Sequence, residues 1–212
     1  MLTVLFCHIP AAFPEQRFKE YLNLLPENHQ NHVTKFRYSK DRNLRLFGKL
    51  LLLEGVKKYG YTEALLSRIK YTPFNKPYLD TDLSFNITHS GNMVLCALSD
   101  SYELGIDVEA IKPISKEDFS GVWTKSEHSL IMKDEKYNWF YRLWTRKEAV
   151  IKADGKGLSI PLKSINVLGN TAVVGNRIWH ITELKIDANY SVHIATDKAL
   201  STPLKPEEVL FN

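Results

Sequence analysis

Apolar positions along the chain recur with two periods. Leu2 to Ile9 is almost wholly apolar and is closed by Pro10, which reads as a first strand. Helical spacing takes over in Pro14–Leu25 and Glu27–Phe36. "DRNLRLFGKLLLLEGVKKY", Asp41–Tyr59, is the longest helix of the first half and stops at Gly60. Phe74–Pro77 is rich in turn residues. Ser84–His89 and Asn92–Leu98 read as strands joined around Ser90–Gly91, and Glu103–Glu109 as another strand. The second half repeats the mixture. Helices are expected at about Thr124–Lys133 and Tyr137–Ala153, and strands at Ser164–Leu168, Ala172–Val174, Arg177–Leu184 and Ser191–Ala195, with tight turns at Gly169–Asn170 and Gly175–Asn176. The pattern predicts two α+β halves, 1–102 and 103–212. The join near Ser101–Glu103 lacks the composition of a flexible linker, so the halves should pack as one body.

Two places break the pattern. In "FYRLWTRKEAVIKADGKGL", Phe140–Leu158, the residues Phe140, Trp144 and Ile151 form an apolar stripe. Glu148 lies only about 40° from Trp144 at ~100° per residue, and Lys152 is one turn further on. A carboxylate at the edge of a buried stripe is costly unless something compensates it. A helix salt bridge to Lys152 is the plain explanation, and it suits an exposed pair better than this one. In "LGIDVE", Leu104–Glu109, strand alternation turns Ile106 and Val108 to one face and Asp107 and Glu109 to the other. This set follows a glycine that permits close approach, and it suits either a solvated strand face or a hard cation. If Asp107, Glu109 and Glu148 converge, a cation must offset their repulsion. Mg²⁺, which takes few carboxylates and completes its octahedron with water and phosphate, fits best. A phosphorylated substrate follows, and Lys40, Arg42, Arg45, Lys76, His89, Lys147, Lys152 and Lys156 are the basic residues on offer, each taken alone an ordinary surface charge.

Composition narrows the class. The 212 residues are 44% hydrophobic and 25% charged, which is ordinary for a globular chain, with a net charge of only +4. That favours an anionic ligand weakly and falls short of a dedicated nucleic-acid binder. Cys7 and Cys96 sit in apolar strand-like runs, without a CxxC, and read as buried thiols. The apolar start lacks a basic leader and reads as a strand, and no run is long enough to span a membrane. The expectation is a soluble, cytoplasmic monomer. The competing reading is a basic nucleic-acid-binding module in which Tyr71, Phe74 and Tyr78, near Lys70 and Lys76, stack on bases. It leaves the three carboxylates unexplained.

Taken together and in order, "KPYLDTDLSFNITHSG", "LGIDVE" and "FYRLWTRKEAVIKADGKGL" resemble the 4′-phosphopantetheinyl transferases of the Sfp type. The resemblance implies transfer of 4′-phosphopantetheine from coenzyme A to a serine of an apo acyl or peptidyl carrier protein, with Mg²⁺ and release of 3′,5′-ADP. It implies an α+β fold of two similar halves packed as a pseudo-dimer within one chain, with the active site between them. By that likeness Asp107, Glu109 and Glu148 are the metal carboxylates. Lys147 and Lys152 lie near the coenzyme A pyrophosphate, and Lys76–Pro77 and His89 near its nucleotide. Lys40 and Arg45 contact phosphate, and Glu148 and Lys152 are the catalytic pair. Where relatives carry lysines after "PE", this chain has His29 and His32. The carrier is expected to dock on Glu109–Leu130 around Lys112–Lys125, through Lys112, Lys116 and Lys125 and through Ile111, Phe119, Val122 and Trp123.

Overall fold

The structure, a computed structural model, describes residues 1–10 and 12–211. In the first half, strand β1 (Leu2–His8) is followed by helices α1 (Glu15–Leu22), α2 (Glu27–Thr34) and α3 (Ser39–Lys58). A two-stranded ribbon, β2 (Lys70–Tyr71) and β3 (Pro77–Tyr78), leads to the hairpin β4 (Ser84–Ser90) and β5 (Met93–Ser99). The second half holds β6 (Leu104–Ala110), α4 (Lys125–Lys133), α5 (Asn138–Asp154), β7 (Thr171–Val174), β8 (Arg177–Glu183) and β9 (Tyr190–Thr196), and the chain ends with β10 (Glu207–Glu208). The predicted elements appear with ends shifted by a residue or a few, except Ser164–Leu168.

The strands form two four-stranded sheets, ordered β10-β1-β5-β4 and β6-β9-β8-β7. Each sheet carries one long helix on its outer face, α3 on the first and α5 on the second, so the fold is the expected pair of similar α+β halves. Strand alternation builds three cores. Leu5, Cys7, Val94, Cys96 and Leu98 face α3, where Leu46, Phe47, Leu50 and Leu53 are buried. Ala195, Ile181 and Trp179 lie with Phe140, Val150 and Ile151 of α5. The opposite faces, Val4, Met93, Leu95 and Ala97 against Leu104, Ile106, Val108, Val192 and Ile194, join the sheets to each other. The last residues cross back to the first half: β10 runs parallel to β1, and Val209 and Phe211 pack into the first core.

Ser164–Leu168 looks like a strand because Ile165 and Val167 alternate with polar residues, and both are buried. The backbone finds other partners. Lys147 Nζ donates to the carbonyl of Ile165 and to that of Leu162, the latter at 3.0 Å. Arg146 Nε donates to Val167 O at 2.8 Å, and the Val167 N–H donates to Glu127 Oε1 at 3.3 Å. Side chains of α4 and α5 thus replace a neighbouring strand, which satisfies the buried peptide groups without a ladder.

Gly105 reads from sequence as a position that permits a close approach. The approaching group is α5: a Cβ at Gly105 would run into the backbone of Ala149, Lys152 and Ala153. The glycine therefore brings the last turns of α5 directly onto β6, which sets the height of Glu148 and Lys152 above Asp107.

Candidate active site

The two sheets meet edge to edge at β4 and β6, and there the polar alternation of β4 decides the geometry. Asn86, Thr88 and Ser90 share one face. Ile106 N–H donates to Asn86 Oδ1 at 2.9 Å, and Ala110 N–H to Ser90 Oγ at 3.1 Å. Thr88 Oγ1 donates to Asp107 Oδ1 at 3.1 Å, and Ser90 Oγ to Glu109 Oε2 at 2.6 Å. Side chains of one edge strand thereby satisfy the other edge and orient two carboxylates. Thr88 and Ser90 were not among the expected site residues. Their signal was a polar period of two, Asn86, Thr88 and Ser90, alternating with Phe85, Ile87 and His89.

An open cleft of about 310 Å³ brings together Asp107, Glu109, Glu148, Lys152 and His89, beside Trp144. Lys152 does not pair with Glu148, its helix neighbour. Its Nζ reaches Asp107 Oδ1 at 2.5 Å and Thr88 Oγ1 at 3.1 Å. The Asp107 side chain is 5% exposed, and its Oδ2 is buried without a hydrogen-bond partner. Burial pushes the Asp107 carboxyl up, while Lys152, Thr88 and the Val108 N–H pull it down, and burial wins. Burial likewise raises Glu148, with further repulsion from Asp107 and Glu109. It raises Glu109 too, against the Ser90 hydrogen bond.

Three desolvated carboxylates, one with an unpartnered oxygen, are a donor set for a hard cation. Among the described residues no three His, Cys, Asp or Glu stand close enough to form a metal cage. What one or two carboxylates in an open cleft can hold is a hard cation such as Mg²⁺ that fills its other positions with water and phosphate. Such a cleft does not fit one that needs a closed protein cage.

His89 stands exposed at the rim, its basicity lowered by partial burial and then by Arg45 and Lys152. Arg45 lies over the Phe36 ring at 4.4 Å, and Lys40 lines a neighbouring hollow with Asn43, Gly91 and Asn92.

The other expected site residues go elsewhere. Lys147 is fully buried and faces away from the cleft, paired with Glu127 Oε2 at 3.0 Å. It anchors the helix, and its full burial against Glu127 removes it from the coenzyme A contacts expected of it. Lys76 Nζ donates to Ala153 O at 2.8 Å, near the C-terminal end of α5, and burial lowers its pKa to about 8. This cation complements the helix terminus, and Pro77 follows it into β3. His29 is buried with Nε2 on Leu66 O at 2.8 Å, so it does not present a charge in place of a lysine.

The expected docking segment is also partly core. Phe119 makes edge contacts with Phe140 and Trp144, and Trp123 is 2% exposed. Lys116 donates to the carbonyls of Ile131 and Asp134. Lys112 and Lys125 remain exposed.

Beneath the cleft, His193 faces Asp107 across the β6–β9 ladder and bonds Thr145 Oγ1 through Nδ1 at 2.7 Å. Burial, then Arg146 and Arg142, lower its pKa to about 3. The folded state therefore excludes a proton that the unfolded chain accepts, and this contribution to stability is lost as pH falls below the unfolded value. The loss should reach roughly 3 kcal/mol by about pH 4. Denaturant melts across this range should show a flatter acid limb for His193→Gln, and equal acid limbs would argue against a buried neutral imidazole.

The family model described as the 4′-phosphopantetheinyl transferase superfamily matches residues 103–203, and the one for the 4′-phosphopantetheinyl transferase N-terminal region matches 13–101. The 4′-phosphopantetheinyl transferase Sfp of Bacillus subtilis (strain 168) is 36% identical over 165 residues, 76% of this chain and 73% of that protein. The 4′-phosphopantetheinyl transferase gsp of Aneurinibacillus migulanus is 30% identical over 173 residues, 77% of this chain and 70% of its own. The holo-[acyl-carrier-protein] synthase of Thermotoga maritima aligns with a TM-score of 0.34 at 16% identity over 44% of this chain and 61% of that one, a likeness too slight to carry an argument. Among the described residues no helix is long and apolar enough to cross a membrane.

Proposed function

Since the chain belongs to the 4′-phosphopantetheinyl transferases of the Sfp type, we propose that it moves 4′-phosphopantetheine from coenzyme A to a serine of an apo acyl or peptidyl carrier protein, releasing 3′,5′-ADP. The observation that carries this reading is the convergence of Asp107, Glu109, Glu148, Lys152 and His89 in one cleft where the two halves meet. Asp107 and Glu148, with Glu109 or a water completing the set, would hold Mg²⁺. When bound, the ion supplies charge neutralisation for the pyrophosphate.

The protein's own groups divide the remaining work. Lys152, already within hydrogen-bond reach of Asp107 and partly exposed, turns its ammonium to the pyrophosphate once the carboxylate is compensated. Arg45 and His89 give the rim a basic end for the nucleotide phosphate. The carrier serine Oγ forms a bond to the β-phosphorus, and the bond from that phosphorus to the bridging oxygen breaks. Glu148 takes the serine proton, directly or through water, and its burial-raised basicity suits that task. Lys152 stabilises charge on the departing 3′,5′-ADP. Lys112 and Lys125 are the exposed cations of the proposed carrier-docking segment, while its aromatic residues hold it in place.

Incubation with coenzyme A, Mg²⁺ and apo carrier proteins of both acyl and peptidyl type should add one phosphopantetheine mass to the carrier serine. Omission of the metal should prevent it. Unmodified carriers of both types, from protein shown to be folded, would count decisively against this function.

A further inference from the structure

Asp107 and His193 stand directly opposite one another in the β6–β9 ladder, and both are buried. Their side chains share the face that carries α5. Gly105, two residues before Asp107, is pressed against Ala149 and Ala153, and His193 bonds Thr145 of the same helix. The Cβ atoms of directly opposed residues lie about 5 Å apart. Each side chain keeps one buried polar atom without a hydrogen-bond partner among the described residues, Oδ2 of Asp107 and Nε2 of His193.

Thr145 decides the tautomer of the imidazole. Its Oγ1 lies 2.8 Å from Tyr141 O, 2.9 Å from Ser191 Oγ and 2.7 Å from His193 Nδ1. Two oxygens that close need a proton between them, and the Tyr141 carbonyl has none to give. The single hydroxyl proton of Thr145 therefore points to Tyr141 O, the usual bond of a threonine inside a helix. Its lone pairs then accept the Ser191 hydroxyl and the His193 Nδ1–H. Nε2 is left with a bare lone pair. The cations that act on His193 are engaged elsewhere: Arg146 donates to the Val167 and Gly169 carbonyls, and Arg142 pairs with Glu183 at 3.2 Å. The carboxylate Oδ2 and Nε2 are thus two acceptors side by side. They cannot bond each other, and a group that serves both must bring two protons. Water does.

Resting on the metal site of the transferase reading, we propose that His193 is a positioning residue for Asp107. Through one buried water its Nε2 fixes the rotation of the Asp107 carboxylate, and so the oxygen that Asp107 offers to a divalent cation in the cleft. Lys152 and Thr88 hold Oδ1 from the β4 side, and the water holds Oδ2 from the β9 side. Outer support of this kind is worth about 10–100-fold in metal affinity or activity.

Asparagine and glutamine separate this role from packing. At position 193 asparagine keeps a donor for Thr145 near the place of Nδ1 and has nothing at Nε2. Glutamine reaches the place of Nε2 and offers an acceptor oxygen there. In the intact protein, His193→Asn should weaken Mn²⁺, used as a paramagnetic probe without coenzyme A, by about tenfold. His193→Gln should stay within about threefold of the wild type, whichever of the two variants melts lower. ¹⁵N spectra of the wild type add a measurement that needs no variant to fold. One buried histidine should show a protonated Nδ1 and a bare Nε2, and Mg²⁺ should move that Nε2 resonance. His29, whose Nε2 donates to Leu66 O, should show the opposite tautomer and stay still. Equal Mn²⁺ affinities of the two variants, a protonated Nε2, or a resonance that Mg²⁺ leaves in place would overturn the positioning role while leaving the transferase reading intact. Wild-type protein that binds no Mn²⁺ would overturn the metal site and the positioning role together.

Discussion

Replacing Glu127 with glutamine should destabilise the protein by about 3–5 kcal/mol, the range for stripping one partner from a buried ion pair. Glu127 and Lys147 are both fully buried, with Nζ and Oε2 3.0 Å apart. The carboxylate also closes a capping box with Thr124 at the start of α4 and accepts the Val167 N–H. Glutamine keeps the shape but only one acceptor oxygen, so the loss combines the missing charge with one of the two N–H bonds, from Thr124 or Val167, that the carboxylate accepts. Lys147 would then sit uncompensated, its ammonium already disfavoured by burial in the native protein. Lys147→Met combined with Glu127→Gln should recover part of the loss, because it removes the stranded charge. Chemical denaturation of the two single variants and the double variant measures the coupling. A single-variant loss below about 1 kcal/mol would mean that water or a rearranged segment reaches Lys147. The pair also serves the chemistry. Lys147 immediately precedes Glu148, so its anchorage to Glu127, Leu162 and Ile165 fixes the rotation of α5 that presents Glu148 to the cleft.

Much of this arrangement was legible because the strand and helix periods are local. Ile106 and Val108 pointing one way and Asp107 and Glu109 the other is a property of four consecutive residues, and the structure keeps it. The expected edge position of Glu148 on α5 likewise follows from helical spacing. The misses come from partners distant in sequence. Nothing next to Lys147 reveals a carboxylate 20 residues earlier, so a buried structural lysine and a phosphate-binding one look alike, though "TKSE" at Thr124–Glu127 does carry a capping-box signal. Ile165 and Val167 alternate as a strand would, and only the reach of Arg146 and Lys147 shows that their carbonyls are already taken. Gly105 advertises a close approach without saying to what. The two-residue β10, paired with β1 across the whole chain length, leaves no periodic trace at all.

Asp107→Asn should reduce transfer to the carrier by about a hundredfold to a thousandfold or more, the scale associated with losing one preorganised charge-stabilising group. It should leave the fold intact. The side chain is nearly isosteric, and the charge it removes is one that burial already disfavours. The cost is the contact with Lys152, but that side chain is 27% exposed and can extend towards water. Stability should therefore change little, in contrast to Glu127→Gln, where the stranded cation has no exposed path. The same variant should weaken Mn²⁺, used as a paramagnetic probe without coenzyme A, by about tenfold or more, since a neutral amide replaces a carboxylate ligand. Lys152→Met supplies the opposite sign. It removes the ammonium that holds Asp107 Oδ1, so the three carboxylates lose their internal cation. The metal-free protein should melt lower, and Mn²⁺ alone should bind more tightly than to the wild type, even as turnover falls. Wild-type turnover by Asp107→Asn in Mg²⁺ would remove Asp107 from the reaction. Lost turnover with unchanged Mn²⁺ affinity would leave it a role in positioning Lys152 and deny it the metal.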